Sequence, residues 1–286
     1  MISDGGSKRL STMENDFSRP SSPYRKSERM RRFRRYLFVL FVAMLPAALA
    51  WAQQSATSFR VLAIAEKGGI HQPFVDAAKI WLGKQAAIDH FTVEYIEDTK
   101  EINAAYLARY QVFVQLNYPP YNWTPEAAAA FTEAIEKGTI GWVGFHHATL
   151  LGEFDGFPMW PWFSRFMGDI RFSNYIPKFA TATVHVETTA HPVMKGVPAT
   201  FTIENEEWYQ WNRSPRPNVH VLANVDEDSY SPDSPVKMGG DHPVIWSNEH
   251  VKARNVYIFM GHHGELFHNT AFTTIFHNAL LWAAGR

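Results

Sequence analysis

The chain has 286 residues, with 27 Lys+Arg against 28 Asp+Glu, 46% hydrophobic and 15% aromatic residues, and no cysteine. That composition excludes disulfides, thiolate metal sites and a cysteine nucleophile, and leaves enough apolar chain to bury a large core. The charge is uneven: Met1 to Ala52 holds 10 of the basic and 4 of the acidic residues, so 17 basic face 24 acidic residues beyond it, without the basic footprint that nucleic acid needs.

Residues 1–52 read as an export signal with a long basic leader. Arg25, Lys26, Arg29, Arg31, Arg32, Arg34 and Arg35 precede an apolar stretch from Tyr36 to Ala50. That stretch is shorter than the roughly 20 residues of a bilayer-spanning helix, and Ala50-Trp51-Ala52 fits a small-x-small cleavage site. The mature protein is expected to start near Gln53 and to reside in the periplasm or outside the cell. It would touch a membrane only through the leader, if that stays uncleaved. The polar stretch Met1 to Pro23 is long for such a signal, and a misassigned start codon is the other reading of it. Residues 53–286 are expected to form one domain.

Arg60 to Ala65 is a near-continuous apolar run, the pattern of a strand buried on both faces. A helical pattern follows from Phe74 to about Ala87, with Phe74, Ala77, Ala78, Trp81 and Leu82 on one face. Phe91 to Ile96 reads as a second strand, Ala104 to Arg109 as a short helix and Val112 to Leu116 as a third strand. Thr124-Pro125-Glu126 signals a helix start and Lys137-Gly138 its stop. Ile140 to Phe145 closes a β-α-β-α-β-α-β series, which predicts a parallel sheet with right-handed crossovers. Beyond it, Phe157 to Phe163 reads as an aromatic loop or irregular helix, and Thr181 to Glu187 as an exposed or edge strand. Later strands are expected at Phe201 to Glu204, His220 to Val225, Pro243 to Trp246 and Asn255 to Met260, and a closing helix at Thr270 to Ala284. The loop Asp226 to Gly240 is placed to border a site. The fold class is α/β, a flavodoxin-like three-layer sandwich with a mostly parallel central sheet plus extra late strands.

Polar groups cluster where these strands end, the edge at which open α/β sheets bind ligands. Gly68-Gly69-Ile70-His71 follows the first strand, and the glycine pair permits a tight turn that exposes backbone amides beside the imidazole. An ordinary strand-to-helix loop is the plain alternative. His146-His147 follows the fourth strand. Neighbours there diverge, so His146 is expected to face the crevice and His147 to hydrogen-bond within the fold; two core histidines are the alternative. Glu204-Asn205-Glu206-Glu207-Trp208-Tyr209 sets carboxylates beside aromatics, either as acid, base or metal ligand or as a solvated charge run. Gly261-His262-His263-Gly264-Glu265 repeats the grammar of strand, glycine and histidine. Imidazoles with a carboxylate suit zinc or another first-row divalent ion, although no His-x-x-x-His helical spacing is present. His268 and His277 read as surface or packing residues.

These pieces resemble the trehalose-utilisation ThuA-like proteins, whose domain is similar to class I glutamine amidotransferases. The resemblance lies in Gly68-Gly69-Ile70-His71, Gly141 to His146, His191-Pro192 to Gly196, Glu206-Glu207-Trp208-Tyr209, Pro243 to Trp246, Gly261-His262 and the closing Trp282 to Gly285, in the family order. His263-Gly264-Glu265 looks like the late His-x-Glu pair of the amidotransferases, and His146 or His147 occupies the elbow where that class carries its cysteine. Without a thiolate there is no acyl-enzyme route, so glutamine amidotransferase activity is not expected. Two positions depart from the family pattern: Gln72-Pro73 replaces the acidic residue after the first histidine, and Glu206 replaces an aspartate.

The resemblance implies carbohydrate catabolism, acting on a sugar or keto-glycoside by acid–base or metal-assisted chemistry. His146 and His262 would transfer protons or ligate a zinc-like divalent metal, with Glu207 as base or further ligand, Tyr209 as a hydrogen-bonding orienter and His263 beside them. Gly69, His71 at the rim, His147, Trp208, Trp246 and Glu265 would contact the substrate. Trp142, Trp160, Trp162 and Trp211 are further candidates for stacking on a pyranose ring. The partner expected is a small carbohydrate, and a homo-oligomer is compatible with this reading. The competing readings are a non-catalytic carbohydrate-binding module on the same scaffold and a subunit whose crevice serves a partner protein.

Overall fold

A computed structural model describes residues 59–286, so the export-signal reading of Met1 to Ala52 and the start near Gln53 lie outside the described residues. β1 (Arg60–Ala65) is buried at every residue after Arg60, as a strand covered on both faces must be. A turn through Gly68 and Gly69, both at positive φ, leads into α1 (Gln72–Asp89), which carries Pro73 in its first turn and ends at His90 in the left-handed region. β2 (Thr92–Ile96), α2 (Ala104–Leu107), β3 (Val112–Leu116), α3 (Pro125–Lys137) and β4 (Gly141–Phe145) complete the alternating series. The start signal of α3 works as read, since the Ala127 amide donates to the Thr124 hydroxyl at 3.2 Å, and Gly138 at φ 71 stops the helix.

The second half contributes α4 (Pro161–Phe166), β5 (Phe172–Tyr175), β6 (Ala180–Val186), β7 (Thr200–Glu206), β8 (Tyr209–Trp211), β9 (His220–Val225), β10 (Pro243–Ser247), β11 (Asn255–Ile258) and α5 (Thr270–Ala283). Nine strands form one sheet in the order β2-β1-β3-β4-β11-β10-β9-β6-β7. The run from β2 to β11 is parallel, and the pairings from β11 onward to β7 are antiparallel. β5 and β8 form a separate antiparallel ribbon that the sequence pattern did not announce. The expectation of an exposed or edge strand at Thr181 to Glu187 is corrected: β6 is paired on both sides, by β9 and β7. Its alternation buries Ala180, Ala182 and Val184, and so reports one solvated face rather than a free edge.

β4 shows the layering. Phe145 meets Phe74 of α1 at 5.4 Å and Phe276 of α5 at 4.7 Å between ring centroids, while Trp142, on the opposite face, meets Phe163 and Phe166 of α4 at 6.1 and 5.1 Å. Helices therefore cover both faces, the three-layer α/β sandwich expected, with the antiparallel strands extending one side of the sheet. The strand order reverses between β1 and β3, so connections leave in opposite directions there, and the carboxyl ends beside such a reversal are where open α/β sheets bind ligands. Among the described residues no helix is long and apolar enough to cross a membrane.

Candidate active site

The segments following β1, β4, β7 and β11 converge on one spot at that carboxyl edge. His71 sits at its centre, with ring centroids 4.1 Å from His147, 4.5 Å from His262 and 5.2 Å from His146. A rim position was expected for His71; instead it is 3% exposed, because the two left-handed glycines turn the chain back and bring the residue that opens α1 beneath the neighbouring loops.

His146 occupies a strained elbow. Its φ of 33° is unusual for a side chain with a Cβ. The conformation is held by its carbonyl, which accepts from the Tyr257 hydroxyl at 2.9 Å and the Thr149 hydroxyl at 3.1 Å. Gly261 lies hard against it, and a Cβ there would come 2.7 Å from the Cβ of His146 and 2.8 Å from Oδ1 of Asn117. The imidazole Nδ1 faces the Phe259 carbonyl at 3.2 Å; a carbonyl only accepts, so Nδ1 carries the proton. Nε2 is then a bare lone pair, buried without a hydrogen-bond partner among the described residues and 3.6 Å from Glu207.

Both nitrogens of His262 and Nε2 of His71 are likewise buried without a partner among the described residues. Glu207 Oε2 lies 4.0 Å from His262 Nε2. Glu206 has a different task. Fully buried, it accepts the backbone amides of Glu207 at 3.0 Å, Gly261 at 3.1 Å and His262 at 3.4 Å, tying the β7 segment to the β11 segment. Asn117, after β3, adds a second tie by donating to the Gly261 carbonyl at 2.6 Å.

Burial, reinforced by neighbouring imidazoles, pushes His146 well below its ordinary value and His262 down to about 3; burial also lowers His71. Burial pushes Glu207 up to about 7 and Glu206 up to about 8. For Glu66, burial acts upward but is outweighed by His147 and His71, which bring it down to about 2. Near neutral pH the cluster thus presents uncharged imidazoles with free lone pairs beside a carboxyl whose ionisation lacks a compensating charge.

Such a donor set fits a cation. His71, His146, His262 and Glu207 can each offer a ligand atom within 4.8 Å of all the others, three imidazoles and a carboxylate, the combination that suits zinc and similar divalent ions. Solvent reaches the cluster at Glu66, His147 and Glu207, whose side chains are 23%, 14% and 12% exposed.

The other expected residues are placed as follows. His147 joins the cluster beside His146, with Nδ1 3.2 Å from Glu66, so both members of the pair face one site. Tyr209 is buried with its ring 4.5 Å from that of His146 and tilted 43° to it, a ring contact without a hydrogen bond between the two side chains. His263 lies at the edge, 3.4 Å from the Asn205 amide and edge-on to Phe179 at 5.0 Å between ring centroids. Gly69 is exposed at the turn.

Three expected substrate contacts are corrected. Trp208 is fully buried between Phe259 and Tyr230 and donates to the Ala180 carbonyl, and Trp246 is fully buried against Tyr257 and Trp211. Neither has a face to offer a sugar. Glu265 is exposed and lines a surface pocket with Glu204 and His268 that includes none of His71, His146, His147 or His262.

Trp142 and Trp211 are also core residues, and Trp160 and Trp162 pack on Phe131 of α3. The Asp226 to Gly240 loop packs behind Trp208 through Tyr230, and its histidine contact is His242 rather than a member of the cluster. His277 is the packing residue expected, 2.9 Å from Asp89 at the end of α1. The sequence reading missed Glu66, Asn117 and the half-buried Phe179, whose ring is 4.4 Å from His262.

The family model for ThuA, trehalose utilisation, matches residues 60–283. Among solved structures, a ThuA-like protein from Bacteroides uniformis is 32% identical, with a TM-score of 0.69 over 79% of this chain and 91% of that one. A ThuA-like protein from Parabacteroides merdae is 17% identical, with a TM-score of 0.59 over 80% and 90% of the two chains. A cytoplasmic protein from Salmonella typhimurium shares the fold at 11% identity and a TM-score of 0.52, over 78% of this chain and 99% of its own. No functionally curated protein matches.

Proposed function

The chain belongs to the ThuA family of trehalose utilisation, and on that premise we propose that it is an exported enzyme of carbohydrate catabolism. It acts on a sugar or keto-glycoside with the help of one divalent cation. The observation that carries this reading is the convergence of His71, His146, His262 and Glu207, with ligand atoms within 4.8 Å of one another. A divalent ion held there would supply a Lewis acid for a carbonyl or hydroxyl oxygen of the sugar.

The chain's own residues define the rest. His71, His146 and His262 would hold the cation through uncharged nitrogens, and Glu207 would balance its charge. Glu206 and Asn117 fix the loops that carry these ligands. Phe179, half-buried beside His262, offers an apolar face to a pyranose ring, the part first sought among the tryptophans. The partly exposed His147 is the imidazole placed to exchange a proton with the bound sugar. With no cysteine in the chain, glutamine hydrolysis through a thioester has no nucleophile.

The test is turnover of native and keto-disaccharides by metal-stripped and metal-reloaded protein. Activity is expected to return with zinc or manganese and to be absent in His146→Ala. Calorimetric sugar binding without turnover under any metal would replace the enzyme with a binding module.

A further inference from the structure

One oxygen of Glu66, Oε2, lies 3.3 Å from Nδ1 of His71 and 3.2 Å from Nδ1 of His147. Glu66 directly follows β1, and its amide donates to the Leu116 carbonyl at 3.0 Å, so the sheet itself fixes where the carboxyl group starts. Oε2 of Glu66 and Nδ1 of His147 make no aligned hydrogen bond among the described residues, so both contacts are close approaches rather than formed bonds; a carboxylate oxygen that near each Nδ1 only accepts, and so favours the hydrogen there and the lone pair at Nε2. In His71 that Nε2 is buried and without a partner among the described residues. His146 repeats the arrangement with a different acceptor: the Phe259 carbonyl takes Nδ1–H, and Nε2 is left free. Two rings that follow different strands thus turn Nδ1 toward an acceptor and leave Nε2 bare.

We propose that Glu66 is a positioning residue of the cation site, which holds His71 in the tautomer that offers Nε2 and clamps His147 at the mouth through the same oxygen. This rests on reading His71, His146, His262 and Glu207 as the cation ligands. Metal-bound histidines commonly give their second N–H to a carboxylate or carbonyl, which fixes the ring and raises its basicity. The rival role is direct ligation, since Glu66, His71 and His147 also bring ligand atoms within 4.8 Å of one another. That role would make His71 serve two ions through both nitrogens of one ring, which requires the imidazole to lose its remaining proton. The positioning role needs no such step.

The test uses the full chain, stripped with chelator, as wild type, Glu66→Gln and Glu66→Ala. Cobalt(II) or zinc titration gives stoichiometry and affinity, and imidazole nitrogen NMR of the same metal-free samples gives the tautomers. One ion per chain is expected in all three. Affinity should fall about 10–100-fold in Glu66→Ala, and less in Glu66→Gln, which retains an acceptor oxygen. Wild-type His71 and His147 should both be Nδ1–H tautomers, and the population should shift toward Nε2–H in Glu66→Ala. Wild-type affinity with an unchanged tautomer in Glu66→Ala overturns the proposal. So does a second ion in wild type that Glu66→Ala loses, which makes Glu66 a ligand. Failure of the wild type to bind any ion refutes the cation reading of the cluster instead, and the metal-free tautomers still decide whether Glu66 orients the rings. If Glu66→Ala does not fold, an Nε2–H tautomer of His71 in wild type is by itself enough to overturn it.

Discussion

Glu227, in the loop after β9, and Glu207, between β7 and β8, are both carboxylates facing an imidazole, yet their surroundings drive them in opposite directions. Glu227 accepts the backbone amides of Met238, Gly239 and Gly240, the last two at 2.9 and 2.7 Å, and has His242 Nδ1 at 3.1 Å. Burial alone would raise it, but His242 and those amides outweigh burial and bring it down to about 2. Glu207 has imidazole nitrogens at 3.6 and 4.0 Å, beyond hydrogen-bond reach, and burial pushes it up to about 7. A carboxylate whose lone pairs are all met by the fold is a structural tie. One that is half-buried with its charge unanswered, beside imidazoles with bare nitrogens, is shaped for something that brings positive charge.

Exchanging each carboxylate for its amide should split activity from stability. Glu207→Gln is expected to lower turnover by about 10²–10⁴-fold, while the melting temperature of the metal-free protein stays level or rises, because the substitution removes a charge that burial disfavours. Glu227→Gln should do the reverse, costing about 3 kcal/mol in denaturant melts and leaving turnover per folded molecule unchanged. If Glu207→Gln destabilised the metal-free protein as much as Glu227→Gln does, the distinction between the two sites would collapse.

Acid sharpens the same contrast. The folded value of Glu227 lies below its ordinary 4.5, so its contribution is present above that value and is lost as pH falls toward about 2. Wild type should lose about 2 kcal/mol more than Glu227→Gln between about pH 5 and pH 3. Equal losses would mean that Glu227 is not the tie described.

The smallest effects concern the aromatics. Trp246→Phe should cost about 1–2 kcal/mol of stability with KM unchanged, whereas Phe179→Ala should raise KM by about 5–10-fold with little change in melting temperature. A KM effect at Trp246 and none at Phe179 would return stacking to the tryptophans.

Much of the fold was legible because its signals are local. The apolar run Arg60 to Ala65, the Thr124-Pro125-Glu126 start and the Gly138 stop each specify their element within a few residues. The site was legible only where polar groups abut strands, as at His146 and His262. Glu66 abuts β1 just as closely, but as a lone acidic residue outside any Gly-His run it does not stand out, and it meets His71 and His147 only through the folding of α1 and β4. The absence of helical His-x-x-x-His spacing was uninformative for the same reason, since the cluster is assembled from separate loops. Glu206 looked like a departure from the family's aspartate, yet it still spans the gap to the Gly261 amide. The tryptophans misled because a large ring near a strand end fits a core as well as a binding face, and Trp208 and Trp246 went to the core.

The central claim is that His71, His146, His262 and Glu207 form one cation site. It is tested most directly by titrating chelator-stripped protein with cobalt(II) while following the ligand-field spectrum, in wild type, His146→Ala and Glu207→Ala. The account predicts one tightly bound ion per wild-type chain with a low-symmetry, imidazole-rich spectrum, and loss of at least tenfold in affinity in each variant. An unchanged isotherm in both variants, or no stoichiometric binding by the wild type, would contradict it.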